Sequence, residues 1–218
     1  MNLIQECNMV TLYACEGSGN CMKPWLAMIQ LDQEFEVKLI DVLNGEQKRP
    51  DFLELNPLGV VPFLEYSKDI RLGESNAMLW FLAEGTHLMP DAAAERAEAL
   101  QWMFFEQSKL EPFISPARFY SFILPEQREA HIDEISQWLD RARPGLERLD
   151  AHLGSRRFML QSGYSVTDIA IFGYVHVLNE AGIDPADYPM IERWIEDVTL
   201  TDKFQPLQNL GMSNAKAA

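Results

Sequence analysis

Apolar and polar positions along this chain follow two different spacings, and the change between them divides it. Residues 9–14 (MVTLYA) form a short, nearly continuous apolar run, as in a buried strand. Met22, Trp25, Leu26 and Ile29 then recur at helical spacing, and residues 35–41 (FEVKLID) alternate as a second strand. Pro24 would cost about 3 kcal/mol in a helix interior, so the regular helix is expected to begin near Cys21 or Met22. A polar connection over residues 44–51 leads into VVPFLEY and IRLG, two strand-like runs flanking Ser67-Lys68-Asp69, a hairpin turn. Pro62 has no N–H for a ladder and suits a strand start, and only an X–Pro bond is cheap to hold cis. Glu74 and Ser75 open an apolar helix ending near Gly85, with Ser75 as its N-cap.

Past residues 85–91 (GTHLMPD) no convincing strand occurs. Ala97, Leu100 and Phe104 share a face of a helix over residues 92–109, and Pro112 and Pro116 are expected to interrupt or kink the segment after it. Residues 126–153 carry two helical stretches, Ile132/Ile135/Leu139 and Leu146/Leu149/Leu153, with Pro144-Gly145 expected to bend or break the chain between them. Ser165 and Asp168 have capping-box spacing, with Asp in the place of Glu, ahead of an apolar helix reaching about Ala181. Tyr164 and Ile169 can staple its entry. Ile191, Trp194, Ile195 and Val198 mark a last helix, and GMSNAKAA reads as a frayed tail. The order is β-α-β, a connection, β-β-α, then helices alone. The fold class is α/β plus all-α: a thioredoxin-like domain over residues 8–86 and an all-helical domain over residues 92–210.

Composition narrows the partners. A formal net charge of −15 leaves no basic patch to neutralise phosphates, which excludes nucleic acid. The three cysteines, Cys7, Cys15 and Cys21, all fall early in the chain and form no disulfide framework, so the expected compartment is reducing. MNLIQECNMV lacks a basic region followed by an apolar core and is not read as a signal peptide. No run approaches the roughly 20 apolar residues that span a bilayer, so the expected location is the cytoplasm, without membrane contact. His87, His131, His152 and His176 are scattered, so no metal site is expected; His176, on an apolar helix, reads as a satisfied core histidine.

Residues 56–82 hold the densest set of special features. If Val61–Pro62 is cis, the Val61 backbone turns outward and can pair with a peptide-like ligand. Ser75 and the N–H groups behind it then face the same opening, ready for a carboxylate. Taken singly, these features describe a proline-started hairpin and an ordinary capped helix. Together, NPLGVVP (56–62) and ESNAM (74–78) resemble the Asn-Pro-x-Gly-x-Val-Pro loop and Glu-Ser-Asn-Ala-Ile helix start of the cytosolic glutathione transferases. SVTDIA and YPMIERWIEDV resemble motifs of that family's helical domain, so the likeness covers nearly the whole chain. Ser18-Gly19-Asn20-Cys21 and residues 102–107 (WMFFEQ) resemble a bacterial group within it.

The resemblance implies a role for each matching residue. Glutathione is the co-substrate: the Val61 backbone, before Pro62, pairs with its cysteinyl backbone, and Glu74 with Ser75 holds its γ-glutamyl end. Many relatives carry a polar residue before Val-Pro; here it is Val60, and Lys48 or Arg49 is the candidate to meet the glycine carboxylate instead. A serine hydroxyl at a helix N-terminus stabilises a thiolate by donating a hydrogen bond while the dipole favours negative charge. The related transferases give that role to the serine at the position of Ser18. Tyr13 is the rival donor, read as packing or a site wall. The electrophile pocket is expected between the domains, with Trp102, Phe105, Gln107, Arg118 and Phe119 as candidates and Glu106 facing the ligand's ammonium. The implied assembly is a homodimer.

Rival readings use the same residues. Ser18-Gly19-Asn20-Cys21 looks like a glutaredoxin Cys-x-x-Cys whose first cysteine has become serine. Cys21 takes the buried second place, which disfavours dithiol chemistry. Cys15 keeps open a mixed disulfide with glutathione, against a simpler reading as a small buried residue. Gly17-Ser18-Gly19 hints at a dinucleotide fingerprint, but its third glycine would fall at Met22, which discards NAD. The expected function is transfer of the glutathione thiolate to a small electrophile. The alternatives are glutathione-dependent disulfide reduction or isomerisation on the same fold, and a non-catalytic partner-binding protein.

Overall fold

A computed structural model of the chain describes residues 9–211. The expectations for Cys7, for the opening MNLIQECN and for a frayed tail beyond Gly211 lie outside the described residues. The chain divides into two compact units, one formed by the segment up to Leu82 with that from Gln205 onward, the other by Ala83–Phe204.

The first unit is built on four strands, β1 (Val10–Ala14), β2 (Phe35–Leu39), β3 (Phe63–Ser67) and β4 (Ile70–Leu72), in the order β2-β1-β3-β4. β1 and β2 run parallel, whereas β1–β3 and β3–β4 are antiparallel. A parallel pair needs a crossover, which helix α1 (Gly19–Gln30) supplies. Leu12, Phe35 and Leu64 of the sheet are wholly buried with Met22, Trp25 and Leu26 of the predicted α1 face, whereas Ile29 of that face is half-buried and Met28 takes a core place instead. Ser67 pairs with Ile70, so Lys68 and Asp69 form the hairpin tip.

Three local expectations change in this unit. α1 begins at Gly19 rather than at Cys21 or Met22, with Pro24 inside it. Ser18 fixes the first turn, because its Oγ accepts the Cys21 N–H at 3.2 Å and its carbonyl accepts the Met22 N–H at 3.0 Å. Pro24 therefore forfeits one helical bond inside a turn that is already anchored. The polar connection contains a short helix, α2 (Pro50–Leu55), whose proline sits in the first turn, where its missing N–H costs nothing. Helix α3 (Ser75–Ala83) has Ser75 as its first residue, not its N-cap. The Glu74 carbonyl accepts the first helical bond, from the Met78 N–H at 2.9 Å.

The second unit is helical. α4 (Ala93–Phe105) widens into a π-type turn at Glu106–Leu110, passes into α5 (Glu111–Arg118), and widens again at Phe119–Ile123. α6 (Ile132–Leu153) runs unbroken through Pro144, contrary to the expected bend or break. Pro144 and Asp140, whose carbonyl loses its helical donor, both face solvent, where water can replace that bond. Gly145 is buried, and a Cβ there would lie 2.9 Å from Leu110 Cδ2 and 3.1 Å from the Lys109 carbonyl, so the glycine permits a close helix approach. α7 (Val166–Val175) is buried at every residue and forms the centre of this unit; it is followed by α8 (Leu178–Ala181) and α9 (Pro189–Thr199).

Ser165 and Asp168 form the expected capping box at the start of α7. Asp168 does more than cap. Its carboxylate accepts the Met159 N–H at 2.8 Å, the Ser165 N–H at 2.9 Å and the Trp194 indole N–H at 2.9 Å, joining the preceding loop, α7 and α9. Burial pushes its pKa up to about 6, and those donors work against the shift.

Candidate functional site

β1 ends at Ala14, and the turn through Gly17, at φ 69°, delivers Ser18 to the mouth of α1. Its hydroxyl accepts the Cys21 N–H through a lone pair, which leaves its proton to be donated. Two residues on, Asn20 Oδ1 accepts the Ser75 hydroxyl at 3.3 Å. The starts of α1 and α3 are thereby tied together, and Ser18 and Ser75 belong to one corner of the unit.

The proline loop is organised from within. Val61–Pro62 is cis, and the β1–β3 ladder ends at the Tyr13–Phe63 pair, so Val61 and Pro62 lie just beyond it. Asn56 is buried and spans the loop: its Nδ2 donates to the Val60 carbonyl at 2.9 Å and its Oδ1 accepts the Leu58 N–H at 3.2 Å. Gly59 has φ 58°, and a Cβ there would meet Leu53 Cδ2 at 2.8 Å and Lys48 Nζ at 3.0 Å. Lys48 Nζ donates to the Leu58 carbonyl at 3.4 Å. A positive charge therefore stands over the loop beside the exposed Val60, whereas Arg49 is paired with Glu46 at 3.3 Å. Glu74 is exposed next to the buried Ser75.

Tyr13 packs. Its ring centroid lies 5.8 Å from those of both Phe52 and Phe63, with Lys38 Nζ 5.4 Å above it. The two described cysteines are neighbours: the Cys15 N–H donates to Cys21 Sγ at 3.4 Å, and neither is in a disulfide. Burial, with the neighbouring Cys15, pushes the Cys21 thiol well up. Cys15 borders a cavity of ≈ 380 Å³ at the C-terminal ends of β1 and β2, which Glu16, Ile40, Asp41, Leu43 and Glu46 also line. Two of its carboxylates are engaged: Asp41 accepts from the Asn44 side chain at 2.7 Å, and Glu46 accepts the Asp41 N–H at 2.7 Å. The Asn44 bonds hold Asp41 below its ordinary pKa.

The candidate electrophile residues all lie in the helical unit. Trp102 is buried and meets Phe105 edge-on at 5.1 Å and His152 at 4.3 Å. Gln107 Nε2 donates to Glu106 Oε2 at 2.8 Å, and the buried Arg118 is paired through Nε with Glu180 at 2.6 Å. Phe119 packs edge-on against Tyr120 at 5.2 Å. His176 is a core residue stacked on Phe172, but half satisfied: Nδ1 lies 2.6 Å from the Phe172 carbonyl, and Nε2 has no partner among the described residues. Burial takes its pKa down to about 4. Among the described residues, no group of three or more His, Cys, Asp and Glu is placed to hold a metal ion. No helix among them is long and apolar enough to cross a membrane.

Comparison with known proteins meets this geometry at both ends of the chain. The family model for the glutathione S-transferase N-terminal domain matches residues 17–84, and that for the C-terminal domain matches residues 125–197. Glutathione S-transferase GstB of Escherichia coli is 30% identical over 203 residues, spanning 88% of this chain and 93% of that protein. This chain belongs to the glutathione S-transferase family. The disulfide-bond oxidoreductase YfcG of Escherichia coli is another relative, 27% identical over 198 residues that span 87% of this chain and 90% of that protein. A crystal structure of a possible glutathione S-transferase from Rhodopseudomonas palustris matches with a TM-score of 0.90 at 37% identity, covering 97% of this chain and 94% of that one. The four-stranded mixed sheet with its helices, followed by a helical region, is the transferase fold. Asn20 and Asn56 hold the segments of the candidate site in place, and motif reading gave neither a role. Asn20 lies within Ser-Gly-Asn-Cys and Asn56 opens NPLGVVP, so their signal was only their place in those motifs.

Proposed function

We propose that this transferase-family chain binds glutathione in its first unit, lowers the pKa of the bound thiol through Ser18, and transfers the thiolate to a small soft electrophile. The observation that carries this reading is the Ser18 hydroxyl at the head of α1, joined through Asn20 to Ser75 at the head of α3. Hydrogen bonding to the charged form of an acid favours that form, and the positive end of a helix adds to the effect. The Val61 backbone is proposed to pair with the cysteinyl backbone of glutathione, and Ser75 with Glu74 to hold the γ-glutamyl group. Lys48 takes the glycine carboxylate. The thiol proton leaves to solvent, and the thiolate sulfur forms a thioether with the electrophilic carbon. The protein adds binding, orientation and a larger thiolate fraction at neutral pH.

Trp102, Phe105, Gln107 and Arg118 are proposed to shape electrophile choice, with Arg118 acting through its ion pair to Glu180. The reading also places the protein in the cytoplasm as a homodimer of the serine-type bacterial group. Ser18→Ala tests it. Hydrogen bonds to charged groups are worth about 1.5–3 kcal/mol, so the variant should keep its glutathione affinity while the bound thiol pKa rises by about 1–2 units. Thiolate absorbance against pH measures the shift, and conjugation of an aryl halide at neutral pH should slow accordingly. An unchanged thiol pKa and rate would remove Ser18 from the mechanism.

Disulfide reduction is the second reading, favoured by the oxidoreductase among the relatives. It keeps the same bound thiolate but directs it at a disulfide sulfur. Glutathione-dependent reduction of hydroxyethyl disulfide, compared with aryl halide conjugation, separates the two.

A further inference from the structure

The cavity beside Cys15 is not used by the transferase reading. It opens at the ends of β1 and β2, and its polar wall is acidic, with Glu16, Asp41 and Glu46, the last paired with Arg49 from outside the lining. Cys15 is half-buried at this wall, while Cys21, in the first turns of α1, is fully buried. The Cys15 N–H donates to Cys21 Sγ at 3.4 Å, so the buried sulfur lies against the residue that borders the cavity.

We propose that Cys15 and Cys21 form a reversible dithiol–disulfide pair, with Cys15 exchanging with small neutral or cationic disulfides in the acidic cavity and Cys21 resolving the product. The division of labour follows from access. A small disulfide reaches the half-buried Cys15, whereas Cys21 is covered and can meet only what Cys15 carries.

The chemistry balances without a further reactant. The Cys15 thiolate attacks one sulfur of the incoming disulfide, forming a mixed disulfide and releasing one small thiolate, which takes a proton from water. The Cys21 sulfur attacks Cys15 Sγ and expels the second small thiolate, which takes the Cys21 proton as it leaves. Two protein thiols are oxidised to one disulfide, and one small disulfide is reduced to two thiols. The carboxylate wall sets the choice of oxidant. A cationic disulfide such as cystamine is concentrated there, while glutathione disulfide, carrying carboxylates, is repelled. The exchange needs no electrophile and no glutathione, and although Ser18 and Cys21 share a hydrogen bond, it is read by mass rather than by conjugation, so its failure and that of the transferase reading are distinguishable.

The test uses the full chain with Cys7→Ser, which leaves Cys15 and Cys21 as its two thiols. After incubation with cystamine, acid quench and alkylation, intact mass should show loss of two hydrogens and no alkyl label. With Cys21→Ala added, the reaction should stop at one cysteamine adduct on Cys15; alanine suits the buried position, and circular dichroism verifies the fold. With Cys15→Ser added instead, neither adduct nor disulfide should form. Glutathione disulfide should react at least about tenfold more slowly than cystamine at low salt, with the gap closing as salt rises. Two alkyl labels on the parent, or an adduct on Cys21 in the Cys15→Ser chain, would overturn the pair. Equal rates for the two disulfides would overturn the selectivity.

Discussion

A single lysine is the proposed holder of the far end of the ligand. Position 60, before the Val-Pro of the loop, holds an exposed valine, and the Lys48 ammonium lies against the Leu58 carbonyl nearby. If that charge meets the glycine carboxylate of glutathione, Lys48→Ala should weaken binding about tenfold, since a charge-assisted hydrogen bond is worth about 1.5–3 kcal/mol. The thiol pKa of the bound ligand should stay as it is, because Ser18 is untouched. A dissociation constant within a factor of two of the parent would assign the carboxylate to another group. Part of this corner was legible from residues alone. Pro62 signalled a special bond, whereas Ser18 as the cap of α1 was not expected, because Pro24 moved the expected helix start to Cys21 or Met22. The partners were not: that Asn56 spans the loop, or that Asn20 receives the Ser75 hydroxyl, depends on where two distant segments meet.

At the scale of elements, proline was the main source of wrong expectations. Pro24 and Pro144 both lie inside helices that continue past them, α1 behind an anchored first turn and α6 with its orphaned carbonyl turned to water. In each case the cost is met locally, by the Ser18 anchor in α1 and by solvation in α6. The α2 helix escaped notice because its polar surface hides a single buried residue, Phe52. Gly145 shows the opposite weighting. Ala would gain about 1 kcal/mol of helix propensity, but its Cβ would press within 3.1 Å of the Lys109 carbonyl, which belongs to backbone and yields little. Gly145→Ala should therefore lower the melting temperature by a few degrees; an unchanged or higher value would show that the π-type turn gives way.

The Asp168 knot makes a pH-dependent prediction at the same scale. Its folded pKa, about 6, lies above that of an unfolded Asp, so the folded state binds the extra proton as pH falls. That proton uptake stabilises the fold increasingly between about pH 6 and pH 4. Asp168→Asn cannot take up the proton, and its amide also faces donors. The stability of the parent minus that of the variant, by denaturant titration, should be nearly flat above about pH 7 and should rise as pH falls to about 4. A difference that drops on acidification would mean the carboxylate is held low instead.

The whole molecule carries a net charge of −15, yet the proposed ligand is an anion. Long-range attraction cannot supply the affinity, so it must come from oriented local donors: the heads of α1 and α3 and Lys48. Fold and family were readable from the spacing of apolar residues and from two short motifs, although in α4 the spacing chose the wrong face: Ala97 and Phe104 are exposed, and Ala99, Trp102 and Met103 are buried. The proposed electrophile site was not readable, since the surroundings of Trp102 and Arg118 are made by residues far apart in sequence, such as His152 and Glu180. Whether the first unit holds glutathione at all is decided by calorimetric titration of the full chain with the reduced tripeptide. Saturable binding near one ligand per chain is expected, weakened by Lys48→Ala and preserved in Ser18→Ala. No heat of binding up to millimolar glutathione would contradict the proposed function, and would leave a transferase fold without its transferase ligand.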